Sequence, residues 1–141
     1  MSSSDEERIH AIIRDQQDAW NRGDAKAFAA HFDESGTFTN ILGEVYYGHG
    51  PFEDRHTRIL STIFKGSSVC MTVRRLHFPA SGIAVVDIDT EIAGYQALPP
   101  GVRPTTAGVL QTRLLEVLVR RHNEWSVVAY HNVDLKRTAQ L

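Results

Sequence analysis

Two histidines stand where apolar side chains recur. Phe52, His56, Ile59 and Ile63 are spaced i, i+4, i+7 and i+11, so His56 takes a core-facing position in a helical apolar stripe. His131 alternates with Trp125, Val127, Ala129 and Val133, which predicts it on the apolar face of a strand. Such a histidine is either a buried group satisfied by a neighbour or a proton carrier facing a pocket, because imidazole titrates nearest neutrality of all side chains. Neither has the company of metal ligands. The chemistry this pair would do is therefore general acid/base transfer, with both as candidate catalytic residues.

Other polar side chains interrupt apolar patterns in the same way. Gln16 falls between Ile12, Ile13 and Trp20 on one helix face, and the Trp20 indole N–H needs an acceptor wherever it is buried. Asn40, Tyr46 and Tyr47 supply amide and hydroxyl groups from a short hairpin, and the pattern leaves open which tyrosine points inward. Glu116 breaks the run Leu114-Leu115-Glu116-Val117-Leu118-Val119. A carboxylate there is either ion-paired with an arginine on a neighbouring strand or subunit, or raised in pKa by desolvation, as a general base is. Asp87, Asp89 and Glu91 alternate opposite Ala84, Val86, Ile88 and Ile92, which predicts a solvated outer face with Arg113 and Arg121 as cross-strand partners. Glu53-x-x-His56 is half of a di-metal helix motif, without the second copy that such a site needs.

The elements that must position these groups follow from periodicity. Asp5 to Arg22 is predicted as an amphipathic helix with a Ser4/Glu7 capping box, stopped by Gly23, and Asp24 caps a second helix through Phe32. Thr37-Phe38-Thr39-Asn40-Ile41 and Val45-Tyr46-Tyr47 read as a hairpin. After Gly48, Gly50 and Pro51 a third helix runs from Phe52 to Lys65. Four long β-compatible runs then follow, Val69 to Phe78, Ile83 to Tyr95, Thr105 to Arg121 and Trp125 to Leu135. Helices segregated from strands predict an α+β domain, with a strongly curved antiparallel sheet and three helices on its concave face closing a cone-shaped pocket. One domain over 1–141, with its core from about 5 to 135, is expected, since a chain of this length buries roughly 68–70% of its unfolded surface.

Composition excludes several partners. With 15 basic and 17 acidic residues the chain has no nucleic-acid footprint and no polybasic membrane surface. No apolar run approaches the ~20 residues of a membrane span, and the acidic start Asp5-Glu6-Glu7 is unlike a secretory signal. Cys70 is the single cysteine and makes no internal disulfide. A soluble cytoplasmic protein is the expectation. No phosphate loop, nucleophile elbow or zinc cluster is present in the sequence, so no cofactor and no metal are expected.

The segments Ala19-Trp20-Asn21-Arg22-Gly23-Asp24, Ala27 to Phe32, Thr37 to Ile41, the Gly48 entry to the third helix and Trp125 to Asn132 together resemble the nuclear transport factor 2-like superfamily, and within it the SnoaL-like group called the SgcJ/EcaC family. The resemblance runs from about Glu6 to Asp134. It implies a cone-shaped, cystatin-like α+β fold with a deep pocket, commonly a homodimer packed through the sheet. It also implies a place in polyketide pathways, including those making enediyne cores, beside polyketide synthase-associated enzymes. Trp20, Asn40, His56, His131 and Asn132 are its signature positions here, which adds Asn132 to Trp20, Gln16, Asn40, Tyr46, Tyr47 and Glu116 as candidate substrate-binding residues. The ketosteroid isomerase pattern of a tyrosine with two pocket aspartates does not transfer. Three functions fit: cofactor-free cyclase, isomerase or dehydratase chemistry on a hydrophobic polyketide or polyene-type intermediate; a non-catalytic ligand- or partner-binding subunit; and an interaction module with a filled interior. A homodimer is also expected from the strand Val109 to Arg121, which is apolar on both faces.

Overall fold

A computed structural model describes residues 3–136. Helix α1 (Ser3–Asn21) buries Ile9, Ile12, Ile13, Gln16, Ala19 and Trp20 along one stripe, as the spacing predicts. Ser4 lies inside this helix, so it does not cap it, and the residue before the helix lies outside the described residues. At the other end Gly23 takes φ +69°, its N–H donates to Trp20 O (2.8 Å), and the Asp24 N–H donates to Ala19 O (2.9 Å). This is a Schellman stop, and it needs a residue that tolerates the left-handed conformation. Asp24 then caps α2 (Ala25–Phe28) by accepting from Ala27 N at 3.0 Å. That helix is one turn long and does not reach Phe32, because Phe32 already opens strand β1 (Phe32–Thr39).

Strand β2 (Val45–Tyr47) returns antiparallel to β1, and α3 (His49–Leu60) follows from Gly48, whose φ of 101° turns the chain out of the hairpin. The remaining strands are β3 (Ser68–Ala80), β4 (Ile83–Ala93), β5 (Val109–Arg121) and β6 (Glu124–Asp134). Their hairpins are antiparallel, and the last turns on His122 and Asn123, both at positive φ (52° and 65°), as a two-residue primed turn requires. The six strands form one sheet in the order β2-β1-β6-β5-β4-β3. The expectation of a wholly antiparallel sheet is corrected at one seam, since β1 runs parallel to β6. Sequence-adjacent strands pair antiparallel through short turns, but β1 and β6 lie far apart in sequence and no hairpin constrains them.

Register shifts in β1, β3 and β6 curve the sheet around the helices. In the bulged strand β1, a Cβ on Gly36 would stand 2.5 Å from the Phe32 ring, which stacks on Phe52 of α3 (centroids 4.0 Å). The edge of β3 is covered by α1: Asn21 Nδ2 donates to Val69 O (3.2 Å), while the N–H groups of Val69 and Met71 donate to Asn21 Oδ1 and Gln17 Oε1 (both 2.7 Å). Buried Asp5 fixes the start of α1 to the β5–β6 hairpin by accepting from Arg120 Nη1 and Trp125 Nε1, each at 3.1 Å. No helix is long and apolar enough to cross a membrane.

Candidate functional site

Between α3, α1 and the inner face of the sheet lies a cavity of about 70 Å³. Its walls are mostly aromatic and aliphatic, and polar groups interrupt them: Arg55 and His56 from α3, the Thr90–Thr112 pair from β4 and β5, Tyr130 and Asn132 from β6, and Asn40 after β1. The two threonine hydroxyls hydrogen-bond each other across the sheet, at paired register positions.

His56 is 3% exposed and packs within ring-centroid distances of 4.4 Å from Phe52 and 4.6 Å from Phe28. Burial lowers its pKa from 6.5 to about 4, against a smaller upward effect of the hydrogen bond to Phe52, so the ring is neutral at physiological pH. Its Nδ1 stands 2.7 Å from the Phe52 carbonyl oxygen, an acceptor only. The neutral ring therefore carries its proton on Nδ1, and Nε2 is left as a lone-pair base. Tyr130 lies across from it, with ring centroids 6.4 Å apart. Burial, and secondarily the Glu116 carboxyl, raise the Tyr130 phenol well above its ordinary range, so it stays a donor.

Further along the same inner face of β5 as Thr112, beyond the cavity wall, Glu116 is fully buried (0% exposed) and pairs in register with Tyr130. Gln16 Nε2 donates to its Oε1 at 2.9 Å. Burial raises the Glu116 pKa to about 7, and the Gln16 bond opposes that rise. Among the described residues no arginine pairs with it: the neighbour that meets Glu116 is the Gln16 amide. Gln16 Oε1, Glu116 Oε2 and Asn132 Oδ1 are buried without a hydrogen-bond partner.

The sites expected from the sequence divide as follows. His56, Trp20, Asn40 and Asn132 line the cavity. Trp20 has its acceptor in Ser67 Oγ (3.0 Å). Asn40 spends its amide locally: Oδ1 accepts from Leu42 N and Glu44 N (both 3.0 Å), and Nδ2 donates to Glu44 Oε1 (2.9 Å), so its polar atoms hold the 41–44 turn. Tyr46 is the inward tyrosine, stacked on Phe38 at 5.8 Å, while Tyr47 is 73% exposed on the other side, and neither lines the cavity. His131 is the main correction: it is exposed on the outer face of the sheet, next to Val133 at 52% exposure. Leu118 pairs with Val127 but Val117 pairs with Ala129, so Val128 is one extra residue in β6. That bulge exchanges the two faces, and alternation that starts inward at Trp125 and Val127 resumes inward at Tyr130 and Asn132.

Tyr130 was missed for the same reason, and nothing in the one-dimensional pattern marks the bulge. Thr90 and Thr112 were missed although a signal existed, since each lies two residues from a core side chain on both sides, Ile88 and Ile92 or Leu110 and Leu114. The outer-face reading of Asp89 holds. It pairs with Arg113 and Arg74, both at 3.5 Å, whereas Arg121 turns instead to Asp33 at 2.7 Å. Among the described residues no group of three His, Cys, Asp or Glu side chains could hold a metal ion.

Neither a protein-family model nor a curated protein matches the sequence. Solved structures do match its shape. A domain with a cystatin-like fold from Nostoc punctiforme superposes with a TM-score of 0.82 at 26% identity, over 97% of this chain and 81% of that one. A type 2 hexachlorocyclohexane dehydrochlorinase matches at TM-score 0.76 and 13% identity, over 93% of this chain and 85% of that one. A ketosteroid isomerase-like protein from Erwinia carotovora atroseptica matches at TM-score 0.72 and 16% identity, over 92% and 95%. The chain thus has the cystatin-like, nuclear transport factor 2-like fold, an α+β architecture in which some solved relatives carry enzyme names.

Proposed function

We propose that the cavity takes the reactive end of a hydrophobic polyketide- or polyene-type intermediate and moves a proton on it without a cofactor. The reaction would be of the isomerase, dehydratase or cyclase type, in enediyne or related natural-product biosynthesis. The observation that carries this reading is the fixed tautomer of His56, which leaves Nε2 as the base within an apolar cavity opposite a phenol that stays protonated. Nε2 would take a proton from a carbon next to a carbonyl. The C–H electron pair becomes the carbon–carbon π bond of an enolate as the carbonyl π pair moves onto oxygen, where the Tyr130 hydroxyl stabilises it, and return of the proton at another carbon completes the step. Volume limits what enters. About 70 Å³ is roughly half of a cavity that holds benzene (~150 Å³), so a few atoms are enclosed and the remainder of a longer chain would leave past Leu42 and Pro99. Beyond them a groove between 39–43 and 100–102 shares Asn132 with the cavity.

In the reconstituted pathway His56→Phe and Tyr130→Phe should each lower product formation by about 10²–10⁴-fold. Unchanged turnover in both cavity variants would sink the catalytic reading. One observation favours a second: a base with a pKa of about 4 is weak at neutral pH, which suits a carrier that only accepts a hydrogen bond at Nε2. In a carrier, variants that keep ligand affinity also keep pathway output.

We also propose a homodimer through the outer face of the sheet, where Leu115 and Val133 are exposed beside the Arg113–Asp89 pair. Polyketide synthase-associated enzymes are the further partners this reading implies.

A further inference from the structure

The Gln16–Glu116 pair has one hydrogen bond and two unmatched acceptors. Gln16 Nε2 reaches Glu116 Oε1 at 2.9 Å, while Gln16 Oε1 and Glu116 Oε2 are both buried with no donor. Two orphaned acceptors on the same two side chains are costly when both are oxygens without hydrogen. One proton on Glu116 Oε2 removes both faults, because an acid and a primary amide close a ring of two hydrogen bonds, N–H to O and O–H to O. Among the described residues no other group hydrogen-bonds to either orphaned oxygen. Gln16 faces Glu116 from α1 and Tyr130 faces it from β6, Val86 on β4 is apolar, and His56 of α3 stands beyond the Tyr130 ring and is neutral. Apart from burial, the Gln16 hydrogen bond is the one influence acting on the carboxyl among the described residues.

We infer that Glu116 is stored as the uncharged acid in a cyclic pair with Gln16, and that it is a positioning residue keeping negative charge away from Tyr130, so that the cavity accepts a ligand oxygen bearing negative charge. The ligand half of this inference rests on the cavity reading above. An ionised Glu116 would set a carboxylate behind the phenol that meets the ligand, in a site with little solvent to screen it.

Infrared spectroscopy tests the acid directly. At pH 6 the wild type should show the carbonyl stretch of an un-ionised carboxyl, shifted in D2O, absent in Glu116→Gln and displaced in Gln16→Leu, where the ring of hydrogen bonds is broken. Glu116→Gln retains an amide pair of the same shape, so the band in the wild type and its absence in Glu116→Gln decide the acid even if Gln16→Leu does not fold. A fully ionised carboxylate at pH 6 would overturn the inference. Calorimetric titration with crotonate, a small unsaturated anion, tests the positioning role. Its affinity for the wild type should fall by up to about tenfold between pH 6 and pH 8, and Glu116→Gln should lack that fall. The same fall in Glu116→Gln would overturn the role. No crotonate binding to either protein would overturn the cavity reading and the role with it, while the infrared result decides the acid–amide pair independently.

Discussion

Asn40 and His56 show how two buried polar side chains lining one cavity can be spent in different ways. Both are buried polar groups lining the same cavity, yet Asn40 has its amide committed to the 41–44 turn, and His56 has one nitrogen committed and one left over. The distinction predicts different phenotypes. Asn40→Ala should lower stability by about 1–3 kcal/mol in urea unfolding, because the N–H groups of Leu42 and Glu44 lose their acceptor. It should leave the affinity for a cavity ligand nearly unchanged, since the amide faces the turn. A loss of affinity without a loss of stability would show that Asn40 meets the ligand after all. The sequence marked both residues as polar within ordered segments, but hydrogen-bond accounting is three-dimensional and no spacing rule performs it.

At the scale of elements, one extra residue in β6 decides which side chains enter the cavity. With Val128 bulged out, Trp125 and Val127 point into the core, as do Tyr130 and Asn132. Deleting Val128 removes the bulge and keeps the faces, since Ala129 then follows Val127 outward and Tyr130 and Asn132 stay inward. The deletion should therefore cost less than about 3 kcal/mol in urea unfolding, since the large aromatic stays in the core and keeps its pairing with Glu116. A larger loss would mean that the bulge is needed for the curvature of the sheet. Period-2 reasoning fails here because a strand pattern carries no phase memory across an inserted residue. The helices were read more faithfully: on α1 and α3 the apolar stripes, including Gln16 and His56, are the buried ones, because the helical repeat runs uninterrupted.

Over the whole molecule, His56 and Glu116 act on stability in opposite senses. Glu116 has a raised pKa, from 4.5 to about 7, so its contribution is fully present below pH 4.5 and is lost as pH rises to about 7. His56 has a lowered pKa, from 6.5 to about 4, so its contribution is present above pH 6.5 and is lost as pH falls to about 4. Each amounts to about 3 kcal/mol, and the slopes nearly cancel between pH 4.5 and 6.5. Urea unfolding across pH 4–8 should then give a shallow profile for the wild type. Glu116→Gln should lose stability steeply in acid, and His56→Phe should lose it as pH rises towards 7. Parallel profiles for all three proteins would contradict both assignments. The outer sheet face gives the other prediction at this scale: sedimentation should find a dimer, and a monomer at micromolar concentration would count against the proposed homodimer.

Local physics carried a long way from the sequence alone. Periodicity located three helices and the strands, and the segregation of helices from strands gave the α+β class. Those features depend on neighbours within a turn or a strand. The tertiary structure alone decided the parallel seam between β1 and β6, the bulge at Val128, the exile of His131 from the cavity and the meeting of Gln16 with Glu116, residues 100 positions apart. Each of these turns on which distant backbone pairs with which, a choice settled by packing the whole chain at once.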